Sequence, residues 1–299
     1  MPISRSVGGF VILAGILPAF APVRGQFLAS ESARRTECEE FMRTAEIIRS
    51  EPVGEGVTAP WKLYLRKGDV EHKAVWKNVS TNEGGMPDYW RFEIAAYRLD
   101  KLLGLNMIPP VIEREFNGQP GALSYWAESK YNLLKIEKSG GTIRIPDDAL
   151  NQTNNMKYVA RLWDSLIGND DRTQENVLYT EDWRTILIDH SRAFRVDGEY
   201  GRRLMYGVRG IKTMGDGRGG RTPVLFRRVP RALLDRIKTL NAALIKSAVG
   251  SYLTDTEIEA VLVRKGLLLA EVAEMIARDG EAKVLYDDSG PLTKIFMTL

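Results

Sequence analysis

The pattern of apolar residues changes character once along this chain, near Ala127, and that change constrains the fold more than any composition figure. Before it, apolar residues alternate with a period of two. Trp61, Leu63 and Leu65 alternate against Lys62, Tyr64 and Arg66, and Glu71 to Val79 alternates again around Ala74 and Val75. Two strands turning at Lys67-Gly68-Asp69 are expected. Val111 to Phe116 and Ala122 to Trp126 form a second such pair about Asn117-Gly118, a dipeptide suited to a tight hairpin turn. Between the pairs, Asp88 to Leu103 is helical in period and stops at Gly104, the residue that caps a helix at least cost. Ahead of them, Glu31 to Arg49 reads as an amphipathic helix, broken by the segment from Pro52 to Thr58. After Glu128 helices dominate: Asn154 to Ile167, Arg231 to Ala248, Asp255 to Lys265 and Leu267 to Asp279. Only a small hairpin, Val177 to Tyr179 with Thr185 to Ile188, and a Gly- and Arg-rich stretch over 190–229 interrupt them. The expectation is an α+β protein of two lobes, an N-lobe over 26–127 and a C-lobe over 128–299.

Composition removes several function classes. The chain has 299 residues, and 42 Lys plus Arg against 39 Asp plus Glu leave a net charge of +3. No polybasic tail of the nucleic-acid-binding kind is present, so no nucleic-acid partner is expected. Cys38 is the only cysteine, which excludes an intrachain disulfide and a thiolate metal cage. His72 and His190 are the only histidines, too few for a His-rich zinc site. At the start, Arg5 precedes the uncharged apolar run Val7 to Ala21, and small residues follow. That layout is a secretory signal over 1–25. Pro22 disfavours cleavage after Ala21, so Val23-Arg24-Gly25 before Gln26 is the expected site. The run is short against the roughly 20 residues of a membrane span. The expected product is therefore exported, periplasmic or secreted, with no stable span after the signal is removed.

Three groups of residues could carry chemistry. Asn169-Asp170-Asp171-Arg172-Thr173-Gln174-Glu175-Asn176 leads into one short strand, and Leu187-Ile188-Asp189-His190 ends the next. A loop and a tight hairpin can bring Asp171, Asn176 and Asp189 into one cleft. Asn176 and Asp189 offer hard oxygens suited to Mg²⁺ on phosphates, and Asp171 can accept or orient a hydroxyl proton. Upstream, Lys77 ends a strand alternation and Glu93 lies in the following helix, the lysine–glutamate arrangement that fixes nucleotide phosphates in kinases. Gly54-Glu55-Gly56-Val57-Thr58 could present backbone N–H groups to phosphate. Taken singly, each is bland: a turn, a strand-end lysine, a helix-surface charge. Their order along one chain gives them weight.

In that order the chain resembles the atypical kinase families of the protein-kinase-like fold, including phosphoinositide 3/4-kinases, HipA-type toxin kinases and the secretory-pathway casein kinase group. Asp171-Arg172 with Asn176 resembles their Asp-Arg-His-x-x-Asn catalytic loop, and Ile188-Asp189-His190 their Ile-Asp-[Phe/His]-Gly metal motif. Glu93-Ile94-Ala95-Ala96-Tyr97, then Leu103-Gly104-Leu105 and Pro109-Pro110, resembles their glutamate-bearing helix and the strand after it. The resemblance covers roughly residues 45–280. It implies a bilobal fold, with a small antiparallel-sheet N-lobe carrying one helix and a mainly helical C-lobe. The implied activity is ATP-dependent phosphotransfer with Mg²⁺ or Mn²⁺ onto a hydroxyl-bearing acceptor, whether protein, lipid headgroup or small molecule. It implies Asp171 as catalytic residue and Asn176 and Asp189 as metal ligands. Gly54, Gly56, Val57, Thr58, Lys77, Glu93, Trp126 and Glu128 are the implied ATP contacts. Two positions depart from the pattern: Thr173 stands where those families carry histidine, and Ser191 where they carry glycine. A nucleotide-binding pseudokinase and a nucleotidyl transferase on the same fold are the alternatives.

The remaining features read more simply. His72, beside the hairpin turn, is expected to be a solvated strand residue, and His190 a brace for the metal loop. The six tryptophans mostly fall on strand or helix faces and read as core or lobe-interface packing rather than a sugar platform. Nine arginines between Arg192 and Arg228 form either a solvated loop or a platform for an acidic group. The export expectation has a direct check. Intact-mass measurement of protein from the native host should show a mature start near Gln26, and a full-length product in the cytoplasm would refute it.

Overall fold

The computed structural model describes residues 29–54 and 60–287 of the chain. The expected signal segment over 1–25 and the loop residues Gly56, Val57 and Thr58 lie outside them. The fold is α+β. Helix α1 (Arg35–Thr44) leads into strands β1 (Glu46–Pro52), β2 (Trp61–Lys67) and β3 (Val70–Lys77). Helix α2 (Trp90–Leu103) follows, then β4 (Val111–Phe116) and β5 (Gln119–Tyr125). The five strands make one antiparallel sheet in the order β1-β2-β3-β5-β4. Its turns use the residues that the backbone requires. Gly68 turns at φ 60°, and Asn117-Gly118 at φ 52° and 71°, the left-handed pair of a type I′ hairpin.

Period-two alternation divides the sheet into two working faces. Ala74 and Trp76 of β3 point into a core with Leu63, Leu65, Leu123 and Tyr125, covered by Cys38, Phe41 and Met42 of α1. Val75 and Lys77 therefore point the other way. The free Cys38 thiol is buried in that core, and burial pushes its pKa up to about 11; it behaves as a small apolar residue.

Helix α2 belongs to the second core. Its Phe92, Ile94, Tyr97 and Leu99 pack in one cluster with the helices that follow. Those are α3 (Asp147–Ile167), α4 (Arg231–Thr239), α5 (Ala242–Val249) and α6 (Asp255–Asp279). Between α3 and α4 lie strands β6 (Val177–Tyr179) and β7 (Thr185–Leu187), paired antiparallel, with Tyr131–Asn132 on the outer side of β6. Trp163 of α3 is fully buried at the centre. Among the described residues, no helix is long and apolar enough to cross a membrane.

Several boundaries differ from the sequence expectation, each for a local reason. The first helix stops at Thr44, and Glu46–Pro52 is a strand, because Ile47 and its neighbours find β2 as a pairing edge. The sheet is thus flanked by α1 and α2 rather than by one helix. Helix α3 begins at Asp147, seven residues early. Pro146 precedes it and Asp147 and Asp148 occupy the first turn, both favourable to a helix start. The helix expected over Arg231 to Ala248 breaks at Leu240, and Asn241 caps the next by accepting from the Leu244 N–H at 2.9 Å. Conversely, α6 runs unbroken through Gly266, started by a capping box between Thr254 and Glu257.

Gly121 tests the sheet beside Lys77. A Cβ there would come 2.5 Å from the Lys77 carbonyl and 2.6 Å from the Trp76 ring. Gly121→Ala is expected to lower stability by about 1–3 kcal/mol through overpacking. Urea denaturation reads this directly, and an unchanged midpoint would mean that β3 and β5 yield there without cost.

Candidate functional site

The cavity between the sheet and the small β6–β7 hairpin has a volume of about 330 Å³, within the range of small-molecule sites. Val53, Val75, Ile108, Val111 and Trp126 line its upper side, and Leu178, Leu187 and Ile188 its lower side. Val53 and Pro60 are joined by a backbone hydrogen bond of 2.8 Å and both border the cavity. Three charged residues meet at its inner end: Lys77, Glu93 and Asp189.

Lys77 holds them together. Strand alternation aims it away from the α1 core, and its Nζ donates to Glu93 Oε1 at 2.9 Å and to Asp189 Oδ1 at 2.7 Å. The other Glu93 oxygen accepts from the His190 backbone N–H at 3.0 Å. Burial disfavours charge on Lys77, but the two carboxylates outweigh it and hold its pKa above the ordinary lysine range. Burial likewise acts against the Glu93 carboxylate, yet Lys77 and then His190 hold it well below the usual carboxylate range. Glu93 is 4% exposed, so this is a buried ion pair with every oxygen engaged.

Asp189 sits at φ 61°, a left-handed backbone that non-glycine residues seldom adopt outside special sites. Its Oδ1 also accepts from the Ser191 hydroxyl at 3.2 Å. Ser191, where the resembled families carry glycine, therefore contributes a hydrogen bond to Asp189. Asn176 is tied to the same loop through its carbonyl, which accepts from the Ile188 N–H at 3.2 Å.

Asp171 is partly exposed, 3.5 Å from Arg192 Nη1. Burial raises its pKa, Arg192 opposes this, and the negative charges of Asp189 and Asp170 raise it further, for a net rise. Asp171 and Asp189 thus share one electrostatic environment. Arg192 itself is fixed by Asp88 Oδ2 at 3.0 Å.

The loop that carries Asp171 is held from below by Arg172, Asp164, His190 and Asn169. The Arg172 guanidinium forks onto Asp164, with contacts of 3.0 and 3.2 Å, and reaches the Ile188 carbonyl at 2.5 Å. Its Nη2 also donates to His190 Nε2 at 2.9 Å. With Nε2 accepting, the proton of neutral His190 belongs on Nδ1, 3.8 Å from Glu93 Oε2. Burial and then Arg172 lower the His190 pKa, which keeps the ring neutral. Asp164 also accepts from Asn169 Nδ2 at 2.9 Å, and Asn169 Oδ1 accepts from the Asp171 N–H at 3.2 Å. One signal could have found Asp164: an acid inside the apolar helical run Leu162-Trp163-Asp164-Ser165-Leu166.

Not every expected contact comes to the cavity. Glu128 does not line it, because its carboxylate is drawn to Lys73 Nζ of β3 at 2.8 Å. Trp126 does line it. Gly54 is exposed at φ 49°. His72 is not a solvated strand residue: its ring stacks on Tyr125 at 3.9 Å and its Nε2 lies 3.2 Å from the Trp126 carbonyl. Among the described residues, no group of three or more His, Cys, Asp or Glu could hold a metal ion alone. Of the three residues expected to share the cleft, Asp189 lines the cavity, whereas Asp171 and Asn176 lie outside its lining. No protein-family model matches the chain, and no curated protein matches it.

Glu93 gives this site a pH signature. Its carboxyl is depressed when folded, so near and below the unfolded value of about 4.3 the unfolded chain binds the extra proton. The stability that Glu93 contributes is complete above that value and is lost as pH falls through the folded value. Glu93→Gln should therefore be less stable than wild type at neutral pH, with a gap that narrows in acid. Urea midpoints measured between about pH 7 and pH 3 check this, and a constant gap would mean that Glu93 is not held ionised.

Proposed function

We propose that the chain is an ATP-dependent phosphotransferase of protein-kinase-like fold, exported from the cytoplasm, that acts on a hydroxyl acceptor. The observation that carries the reading is Lys77, bridging Glu93 and Asp189 at 2.9 and 2.7 Å at the inner end of an apolar cavity. A purine fits the apolar part between Val75 and Leu178, with the backbone around Ala127 at its edge. The α- and β-phosphates then take Lys77, which Glu93 and the His190 N–H keep oriented. A bound Mg²⁺ or Mn²⁺ supplies positive charge against the phosphate oxygens, and Asn176 and Asp189 are the residues that would hold it.

Asp171 is the catalytic residue. The acceptor oxygen forms a bond to the γ-phosphorus as the bond to the ADP oxygen breaks, and the hydroxyl proton passes to Asp171. Its raised pKa moves it toward the range in which a carboxylate accepts a proton. Arg192, 3.5 Å away, orients that carboxylate and offsets charge that develops beside it.

Incubation with γ- and α-labelled ATP and either divalent ion tests the reading. Label from γ alone means phosphotransfer, label from α means nucleotidyl transfer, and binding without either means a pseudokinase. Two substitutions separate the roles. Asp189→Asn should weaken metal–nucleotide binding, because it removes a charge that faces the ion. Asp171→Asn should leave nucleotide binding nearly unchanged and lower transfer by about 10²–10⁴. Equal loss of binding in both variants would mean that the two roles are misassigned. Thr173→His should raise transfer without tightening ATP if the missing histidine limits turnover.

A further inference from the structure

On the opposite side of β6 from this cleft lies a second cavity, of about 500 Å³. Strand alternation separates the two: Leu178 faces the cleft, while Val177 and Tyr179 line the second cavity. Lys157 and Arg161 line it from α3, one helical turn apart, and Lys212 borders it from the long segment after β7. Like charges at that spacing repel, and Arg227, outside the cavity lining, adds a fourth cation that acts on both Lys157 and Arg161.

The acids that neutralise the other arginines of this region are missing here. Arg195 pairs with Asp170 and Asp197, Arg203 with Glu199, and Arg209 with Glu274. Among the described residues, no carboxylate lies within 4 Å of Lys157, Arg161, Lys212 or Arg227. Arg161 donates to the Leu225 carbonyl at 2.5 Å and Lys212 to the Asp170 carbonyl, which satisfies donors without cancelling charge. Asp164, also in the cavity wall, is taken by Arg172; Glu137 accepts from Gln174 and keeps its charge, which acts on Lys157 less than burial and the two arginines do. Burial first, then the neighbouring cations, lower the Lys157 pKa. The Tyr179 and Tyr206 phenols, raised to about 12 by burial, stay neutral and able to donate.

We propose that this cavity binds a phosphate-bearing small ligand, with its phosphate held by Lys157, Arg161 and Lys212. A phosphate monoester carries close to two negative charges at neutral pH, which suits a cluster of cations better than a single carboxylate does. The remaining volume accepts a small organic body against Leu133, Tyr179 and Tyr206. The site uses residues other than those of the nucleotide cleft and stands whether or not the phosphotransferase reading holds. It borders Arg172, Thr173 and Gln174, so a bound ligand would stiffen the loop that carries Asp171.

Isothermal titration of the full chain with inorganic phosphate, against acetate and chloride at matched ionic strength, tests the proposal. Wild type should bind phosphate in preference to both. Lys157→Glu should weaken it at least about tenfold, the change expected for one charge-assisted hydrogen bond, while Lys157→Arg should bind as wild type does. Lys157 is exposed on the helix surface, and if the glutamate variant fails to fold, Lys157→Gln reads the same loss. Lys77→Met should leave phosphate binding intact. A wild-type response to phosphate no greater than that to acetate or chloride would overturn the proposal. So would phosphate binding that is lost in Lys77→Met and kept in Lys157→Glu, since the ion would then sit in the nucleotide cleft. ATP titrated into the same samples reports on the cleft by the part of its binding that is lost in Lys77→Met and kept in Lys157→Glu. Loss of ATP binding with phosphate binding kept would fail the nucleotide reading and support this site.

Discussion

The buried pair between Arg172 and Asp164 is the contact on which the site's geometry depends. The two side chains are 6% and 1% exposed, so neither can turn to water when the other moves. Breaking such a pair by removing one member typically costs about 3–5 kcal/mol, because the survivor is left as an uncompensated buried charge. The guanidinium spends its other donors on Ile188, Asn176 and His190. One residue thereby fixes α3, the loop 169–176 and the turn after β7 relative to one another. Asp171, Asn176 and Asp189 take their relative positions from that arrangement, and each is a neighbour of a group that Arg172 holds.

Lys77 performs the corresponding task between the sheet and the helical part. It is the last residue of β3, Glu93 lies in α2, and Asp189 follows β7. Three elements far apart in sequence are tied at one ammonium. The arrangement also sets the charge around the inner end of the cleft. Glu93, Asp189 and Asp171 are acids, and Lys77 and Arg192 are the cations set against them. A nucleotide polyphosphate entering such a site meets carboxylates as well as a lysine. On the proposed reading, the divalent ion is what lets phosphate approach Asp189 at all.

Much of this was legible before the structure, and the parts that were not share a cause. The alternation of Ala74 and Trp76 with Val75 and Lys77 gives both the strand and the direction of the lysine, because a period of two is a local property. Gly104 and Asn117-Gly118 are legible for the same reason: a left-handed backbone is a local demand. Glu46–Pro52 looks locally like helix and linker because its strand exists only through β2, a partner that no local pattern announces. His72 and Glu128 depart from their local patterns in opposite directions. His72 is drawn in by Tyr125 and the Trp126 carbonyl, whereas Glu128 is drawn out by Lys73. Asp164 and Arg172 needed knowledge of which charges meet inside, and spacing alone does not give that.

The two departures from the resembled pattern lie on the same piece of structure and have different consequences. Ser191 is absorbed, since its hydroxyl donates to Asp189 and its carbonyl accepts from the Tyr89 N–H at 2.8 Å. Thr173 is exposed and lines the basic cavity. The loop 169–176 is braced by Arg172 and His190, from beneath. Position 173 takes no part in that bracing and faces the basic cavity. Strand β6 follows directly, with Leu178 in the wall of one cavity and Val177 and Tyr179 in the wall of the other. A strand of three residues cannot tilt toward one side without moving its alternate side chains on the other. Any displacement of β6 that fills the basic cavity must therefore alter the floor of the cleft beneath Leu178, and the coupling needs no residue beyond the strand itself.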